Sequence, residues 1–160
     1  MANPAKNRAR AIDMVRATAI HEAGHAVIMA RCAMKIEQIT INRKAIQSGV
    51  GNQGLTIARM TREPNAGDEA DVAVAGAVAE AVVRGIPAMA IIRKLTDGDD
   101  IVQTLTYAGV PRGQHKDAIQ QTIDAVAVEI TANWSKVEQI ADFLMAEETI
   151  TGEQIAHIIG

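Results

Sequence analysis

The chain is poor in cysteine. Its 160 residues include one cysteine, Cys32. A single cysteine excludes an intramolecular disulfide and indicates a reducing compartment, so we expect a cytoplasmic protein. A lone cysteine in an apolar setting is more often packed in a core than bound to a metal ion, and we expect this of Cys32.

Aromatic residues are also scarce, and basic residues do not outnumber acidic ones. Aromatic residues make up 2% of the chain, and the net charge is −3. Proteins that bind nucleic acids need a basic surface, and those that bind single strands also need rings on which bases stack. We therefore expect no nucleic-acid partner.

The chain lacks a long hydrophobic run. Its most apolar stretch, Val72–Val83, spans about 12 residues and contains Glu80, whereas a membrane helix needs about 20. The first ten residues lean basic but lack the apolar centre of a secretory signal. We expect no membrane span, and one domain over residues 1–160 in which residues 1–10 form a flexible basic arm.

The most specific pattern is His21-Glu22-Ala23-Gly24-His25, which lies in an apolar run from Ala17 to Ala30. With 4 histidines and 10 glutamates in 160 residues, about 0.006 chance occurrences of this pattern are expected. In a helix, His21 and His25 lie one turn apart on the same face, so both imidazoles can bind one zinc ion.

The residue types at this spacing predict a hydrolytic zinc site. Glu22 follows the first ligand directly and cannot easily bind the same ion, but its carboxylate can act as general base on water. The structural alternative makes His21 and His25 ordinary helix residues and Glu22 a solvated one.

A catalytic zinc ion usually has three protein ligands and an open position. His115 and His157 stand in polar or terminal settings and are expected at the surface, which favours an acidic third ligand. The candidates are Asp97, Asp99 and Asp100, which would otherwise serve only as favourable residues at a helix N-terminus. The pattern of residues does not choose among them.

Periodicity predicts a first helix from about Ala9 to Met34, followed by two strands at Ile36–Ile41 and Leu55–Met60. The strands are expected to be antiparallel and joined by a long glycine-rich turn. An edge of this sheet beside the metal site could hold an extended peptide as an added strand. A plain structural hairpin is the alternative.

The next helix is expected to start with Asp68 as its N-cap, to end at Arg84 before Gly85, and to pack on the helix that carries the histidines. Glu80 lies in its small, apolar stretch. Its carboxylate either reaches an exposed edge or lies beside the metal, where it would orient a ligand or a water molecule.

The C-terminal part is predicted to be a helical hairpin with a break near Asn133-Trp134, followed by a short helix that starts at Thr151 with a capping box to Gln154. The expected fold class is α+β, mainly α-helical: a helical zinc-peptidase domain with a small antiparallel β-sheet.

Four stretches, in this order, resemble the peptidase domain of the FtsH-type ATP-dependent zinc metalloproteases: His21-Glu22-Ala23-Gly24-His25-Ala26, Gly76-Ala77-Val78-Ala79-Glu80, Asp99-Asp100-Ile101 and Thr149-Ile150-Thr151-Gly152-Glu153-Gln154-Ile155. The resemblance implies that His21, His25 and Asp100 bind Zn2+ and that Glu22 is the catalytic base. The family assembles into hexameric rings, so the resemblance leaves open whether this chain forms a homo-oligomer.

The chain departs from this family in two respects. It lacks the phosphate-binding loop of the family's ATPase module, so we expect a stand-alone peptidase domain that acts without ATP, or one served by a separate ATPase partner. It also lacks the second acidic residue that typically follows the family's equivalent of Glu80. The expected function is a zinc metalloendopeptidase that hydrolyses peptide or unfolded protein substrates. The alternative is a non-catalytic metal-binding adaptor derived from such a peptidase.

Overall fold

A computed structural model describes the backbone of residues 4–32, 34–50, 53–63, 65–92 and 97–160, and their side chains apart from those of residues 4–12, 97–100 and 107. These residues are mainly helical and include one small antiparallel sheet, so the predicted α+β, mainly α-helical class is confirmed. The elements are α1 (Pro4–Arg31), β1 (Met34–Ile41), α2 (Arg43–Ser48), β2 (Gly54–Met60), α3 (Ala66–Arg84), α4 (Ala88–Ile92), α5 (Asp97–Tyr107), α6 (His115–Ala132), α7 (Trp134–Glu147), β3 (Thr149–Thr151) and α8 (Gly152–Ile159).

Helix α1 carries the histidine pair and packs closely against α3, as the sequence predicts. A Cβ atom on Gly24 would lie 2.6 Å from the Cβ of Ala79 and 2.8 Å from the carbonyl oxygen of Ala75. Only glycine at this position and small residues opposite it allow the two helices to approach so closely. This contact brings α3 to the site. Helix α1 begins at Pro4, earlier than the predicted Ala9, so much of the expected arm is helical.

The ends of α3 follow local capping chemistry. Asn65, rather than Asp68, is the N-cap, because the Asn65 side chain accepts a 2.8 Å hydrogen bond from the backbone N–H of Asp68. Asp68 is the third residue of the helix and completes a capping box, so its predicted role as N-cap was wrong. The helix ends as predicted at Gly85, which has the left-handed conformation with φ 63°.

The sheet has the order β2-β1-β3. Strands β1 and β2 are antiparallel as predicted, with Thr40 opposite Leu55 and Ile41 opposite Gly54. The connection between them contains the short helix α2 instead of a simple glycine-rich turn. Strand β3, which was not predicted, pairs with the other side of β1 and leaves β2 at an edge of the sheet.

The C-terminal helices have the predicted break near Asn133, but the predicted hairpin was wrong, because α6 packs on α3 and α7 packs on α1 rather than on each other. Helices α6 and α7 meet at Asn133, and Thr151 caps α8 in a capping box with Gln154. His115 is buried and donates a 2.8 Å hydrogen bond to the carbonyl of Val110, so its predicted surface position was wrong. The backbone carbonyl supplies the polar partner that a buried imidazole needs. His157 is exposed, as expected.

The core lies between the inner face of the sheet and helices α1, α3, α6 and α7. Cys32 belongs to this core and is 2% exposed, which confirms its predicted burial. In the part of the chain that the structure describes, no helix is both long enough and apolar enough to cross a membrane.

Candidate metal centre

The Nε2 atoms of His21 and His25 point at each other. The two histidines stand one turn apart on α1, and their Nε2 atoms are 3.2 Å apart. Both side chains are only partly buried, so the space beside the two nitrogens can be reached from outside. The local helix geometry thus produces the convergent pair that the spacing predicts.

A hydrogen bond at Nδ1 sets the orientation of each imidazole ring. The Nδ1 atom of His25 lies 2.8 Å from the carbonyl oxygen of Val72, and that of His21 lies 2.9 Å from Oε2 of Glu80. A carbonyl and a carboxylate oxygen can only accept, so Nδ1 donates in both rings. In the neutral form, each ring then presents its lone pair at Nε2.

The pair fits a zinc ion. At the usual Zn–N distance of about 2.0–2.1 Å and tetrahedral angles, two ligand nitrogens lie about 3.3–3.4 Å apart, close to the 3.2 Å between these Nε2 atoms. Zinc-binding histidines almost always donate their other nitrogen to a carboxylate or carbonyl, as both histidines do here. A Cβ atom on Gly76 would overlap with both Nε2 atoms, so glycine keeps that space open.

Glu80 connects the histidine pair to the guanidinium group of Arg84. Its Oε2 accepts the hydrogen bond from His21, and its Oε1 accepts a 2.7 Å hydrogen bond from Nη1 of Arg84. Burial alone would raise the pKa of Glu80, but the hydrogen bonds from His21 and Arg84 outweigh it and hold the pKa below its ordinary value. Of the two positions considered from the sequence, Glu80 occupies the one beside the histidines.

Glu22 is 9% exposed and faces strand β2. Its Oε2 accepts a 2.7 Å hydrogen bond from the hydroxyl of Thr56. Its other oxygen lies beside Gly54, where a Cβ atom would come within 2.5 Å of Oε1. Thr56 and Gly54 were not predicted as site residues, because threonine and glycine in or beside a short strand carry no signal of a functional role.

Two cavities meet at this centre. One of about 660 Å3 extends past His25 between α1, α3, α5 and β2, and one of about 520 Å3 lies towards the start of α1 and the end of α3. His21, Glu22 and Gly54 line both. The histidine pair therefore lies where the two cavities meet.

The three candidate acidic ligands all belong to helix α5. Asp97, Asp99 and Asp100 lie in the first turns of α5, but their side chains are outside the described residues. Further along α5, Gln103 and Thr104 line the larger cavity. Among the side chains that are described, no group of three His, Cys, Asp or Glu residues could hold a metal ion.

The chain matches no protein-family model, and no curated protein is significantly similar to it.

Proposed function

We propose that the protein is a zinc-dependent endopeptidase that hydrolyses peptide bonds in peptides and unfolded proteins. The observation that carries this proposal is the convergence of His21 and His25, with Nε2 atoms 3.2 Å apart and both Nδ1 atoms donating to fixed acceptors. A buried carboxylate, Glu22, lies next to the first histidine. The resemblance of four stretches to FtsH-type peptidase domains supports the same reaction.

Asp100 is the proposed third ligand. At about 100° per residue, its position on α5 lies within about 10° of the direction midway between Gln103 and Thr104, which line the cavity. Asp97 and Asp99 lie about 70° and 90° from that direction. The helix register therefore favours the same residue that the family resemblance implies.

Each residue of the site has a distinct task. Zinc, when bound, polarises a substrate carbonyl and makes water acidic enough to be deprotonated near neutral pH. His21 and His25 supply neutral nitrogen ligands whose orientation Glu80 and the Val72 carbonyl maintain. Glu22 accepts the proton from water and passes it to the leaving amine.

Strand β2 supplies the substrate-binding edge in this proposal. It pairs with β1 on one side and, within the described residues, with no strand on the other. An extended peptide can add to such an edge through backbone hydrogen bonds, so binding would not depend on one sequence. A folded domain seldom exposes such a segment, so we expect unfolded chains as substrates. We further propose a reducing, cytoplasmic setting and action without ATP.

Glu22→Gln tests the proposed roles. The amide keeps the size of the side chain but cannot accept the proton, so we expect zinc content to equal that of the parent while peptide cleavage falls at least about 100-fold. Zinc is measured by mass spectrometry, and cleavage with a fluorogenic peptide with and without a chelator. Glu138→Gln, which changes a partly exposed glutamate on α7, is the matched control. Loss of zinc in Glu22→Gln would make Glu22 a ligand. A zinc-loaded parent that cleaves nothing would favour the adaptor alternative.

A further inference from the structure

We infer that strand β2 positions the carboxylate of Glu22, through a hydrogen bond from Thr56 and through the missing side chain of Gly54. The inference rests on the proposed function, because it makes Thr56 a positioning residue for the general base. Thr56 and Gly54 are two residues apart and therefore lie on the same face of the strand. Both contact the carboxylate of Glu22.

The hydroxyl of Thr56 fixes one oxygen of the carboxylate. The distance from Oγ1 to Oε2 of Glu22 is 2.7 Å, which is typical of a hydrogen bond to an ionised group. The Glu22 side chain has three rotatable bonds, and a hydrogen bond at its end reduces the number of conformations that it can adopt. A base must hold a defined position relative to the proton that it accepts, so this contact affects the chemical step.

Gly54 leaves the space that the other oxygen of the carboxylate occupies. A Cβ atom at residue 54 would lie 2.5 Å from Oε1, 2.9 Å from Cδ and 3.0 Å from Cγ of Glu22. These separations are shorter than carbon and oxygen atoms tolerate, so any other residue would displace the carboxylate. The φ angle of Gly54 is not in the left-handed region, which means that space, and not backbone conformation, requires glycine here.

The same strand is the exposed edge beside the two cavities. Its residues Gly54, Leu55 and Thr56 line the larger cavity, and the outer side of β2 is the edge on which a substrate strand would lie. The strand that would contact the substrate backbone is therefore the strand that holds the base. A merely structural role for the Thr56 hydrogen bond would stabilise the fold without this link to catalysis.

The first test uses Thr56→Val, which removes the hydroxyl but keeps the shape, and Thr56→Ser, which restores it. We expect Thr56→Val to lower kcat about tenfold, with KM and zinc content unchanged, and Thr56→Ser to stay within about twofold of the parent. The matched control is Thr40→Val on β1, which loses a hydroxyl contact to Thr149 away from Glu22 and should not lower kcat.

A double-mutant cycle shows whether Thr56 acts through Glu22. In the Glu22→Gln background, Thr56→Val should change the residual rate less than about twofold, because the base is already absent. An equal loss of kcat with and without Glu22 would overturn the inference. So would a Thr56→Val enzyme whose only defect is a lower melting temperature.

Crystal structures provide a readout that does not need activity. In Thr56→Val and in Gly54→Ala, we expect the Glu22 carboxylate to leave its position against β2, whereas Gly113→Ala, where a Cβ would meet open space, should leave it in place. An unmoved carboxylate in both variants would refute the inference. If the zinc-loaded parent cleaves no peptide, the proposed function fails, while a displaced carboxylate still shows that β2 positions Glu22.

Discussion

Glu80 offers the clearest test of the contacts that hold the proposed metal centre together. Its carboxylate links Nδ1 of His21 at 2.9 Å to Nη1 of Arg84 at 2.7 Å, and the side chains of both Glu80 and His21 are only 12% exposed. Glu80→Ala removes the acceptor that fixes the ring of His21. The ring can then turn its Nε2 atom away from that of His25, so zinc should bind more weakly.

The expected loss of zinc affinity follows from the role of the hydrogen bond between Glu80 and His21. Loss of a hydrogen-bond partner that orients a metal ligand typically costs about 10- to 100-fold in metal affinity, or about 1.4–2.7 kcal/mol. We expect Glu80→Ala to lose zinc affinity by about 100-fold, because its hydrogen bond to His21 is charge-assisted and mostly shielded from water. Glu80→Gln keeps an acceptor oxygen for His21 but loses the negative charge, so a loss of about 3- to 10-fold is expected.

The assay is competition for zinc between the protein and a chromophoric chelator at neutral pH. Glu129→Ala is the matched control, since it removes a carboxylate paired with Arg31 at 2.8 Å on the surface of α6. Its zinc affinity should equal that of the parent. A Glu80→Ala protein that binds zinc within about twofold of the parent would refute the view that Glu80 orients His21.

Three further predictions concern the third ligand, the substrate and the cysteine. Asp100→Ala should weaken zinc binding far more than Asp97→Ala or Asp99→Ala, because the main loss in those two variants is helix capping worth about 1 kcal/mol. If Asp99→Ala is the variant that loses the metal, the third ligand is Asp99 and not Asp100. The protein should cleave a denatured protein substrate, but not the stable native form of the same substrate, and a chelator should stop the cleavage. ATP should not change the rate. Rapid degradation of the native form would contradict the proposed preference for unfolded chains. Burial raises the pKa of the Cys32 thiol to about 11, so at pH 8 iodoacetamide should label it more than about 100-fold more slowly than a free thiol, and normally after denaturation.

The sequence alone determined the features that depend on neighbouring residues. The four-residue spacing of His21 and His25 was sufficient to place both on one face of α1, because helix geometry is local. The capping box at Thr151 and the end of α3 at Gly85 were predictable for the same reason. The N-cap of α3 was wrongly predicted at Asp68, because Asn65, three residues earlier, is an equally good N-cap residue.

Only the tertiary structure decided which distant residues complete the site. Glu80 lies 59 positions from His21, and Thr56 lies 34 positions from Glu22, yet each donates or accepts a hydrogen bond that controls a side chain of the proposed centre. These contacts arise because α3 packs on α1 through Gly24, and because α1 also packs on β2. Sequence periodicity shows which face of an element is apolar, but it does not show which other element covers that face.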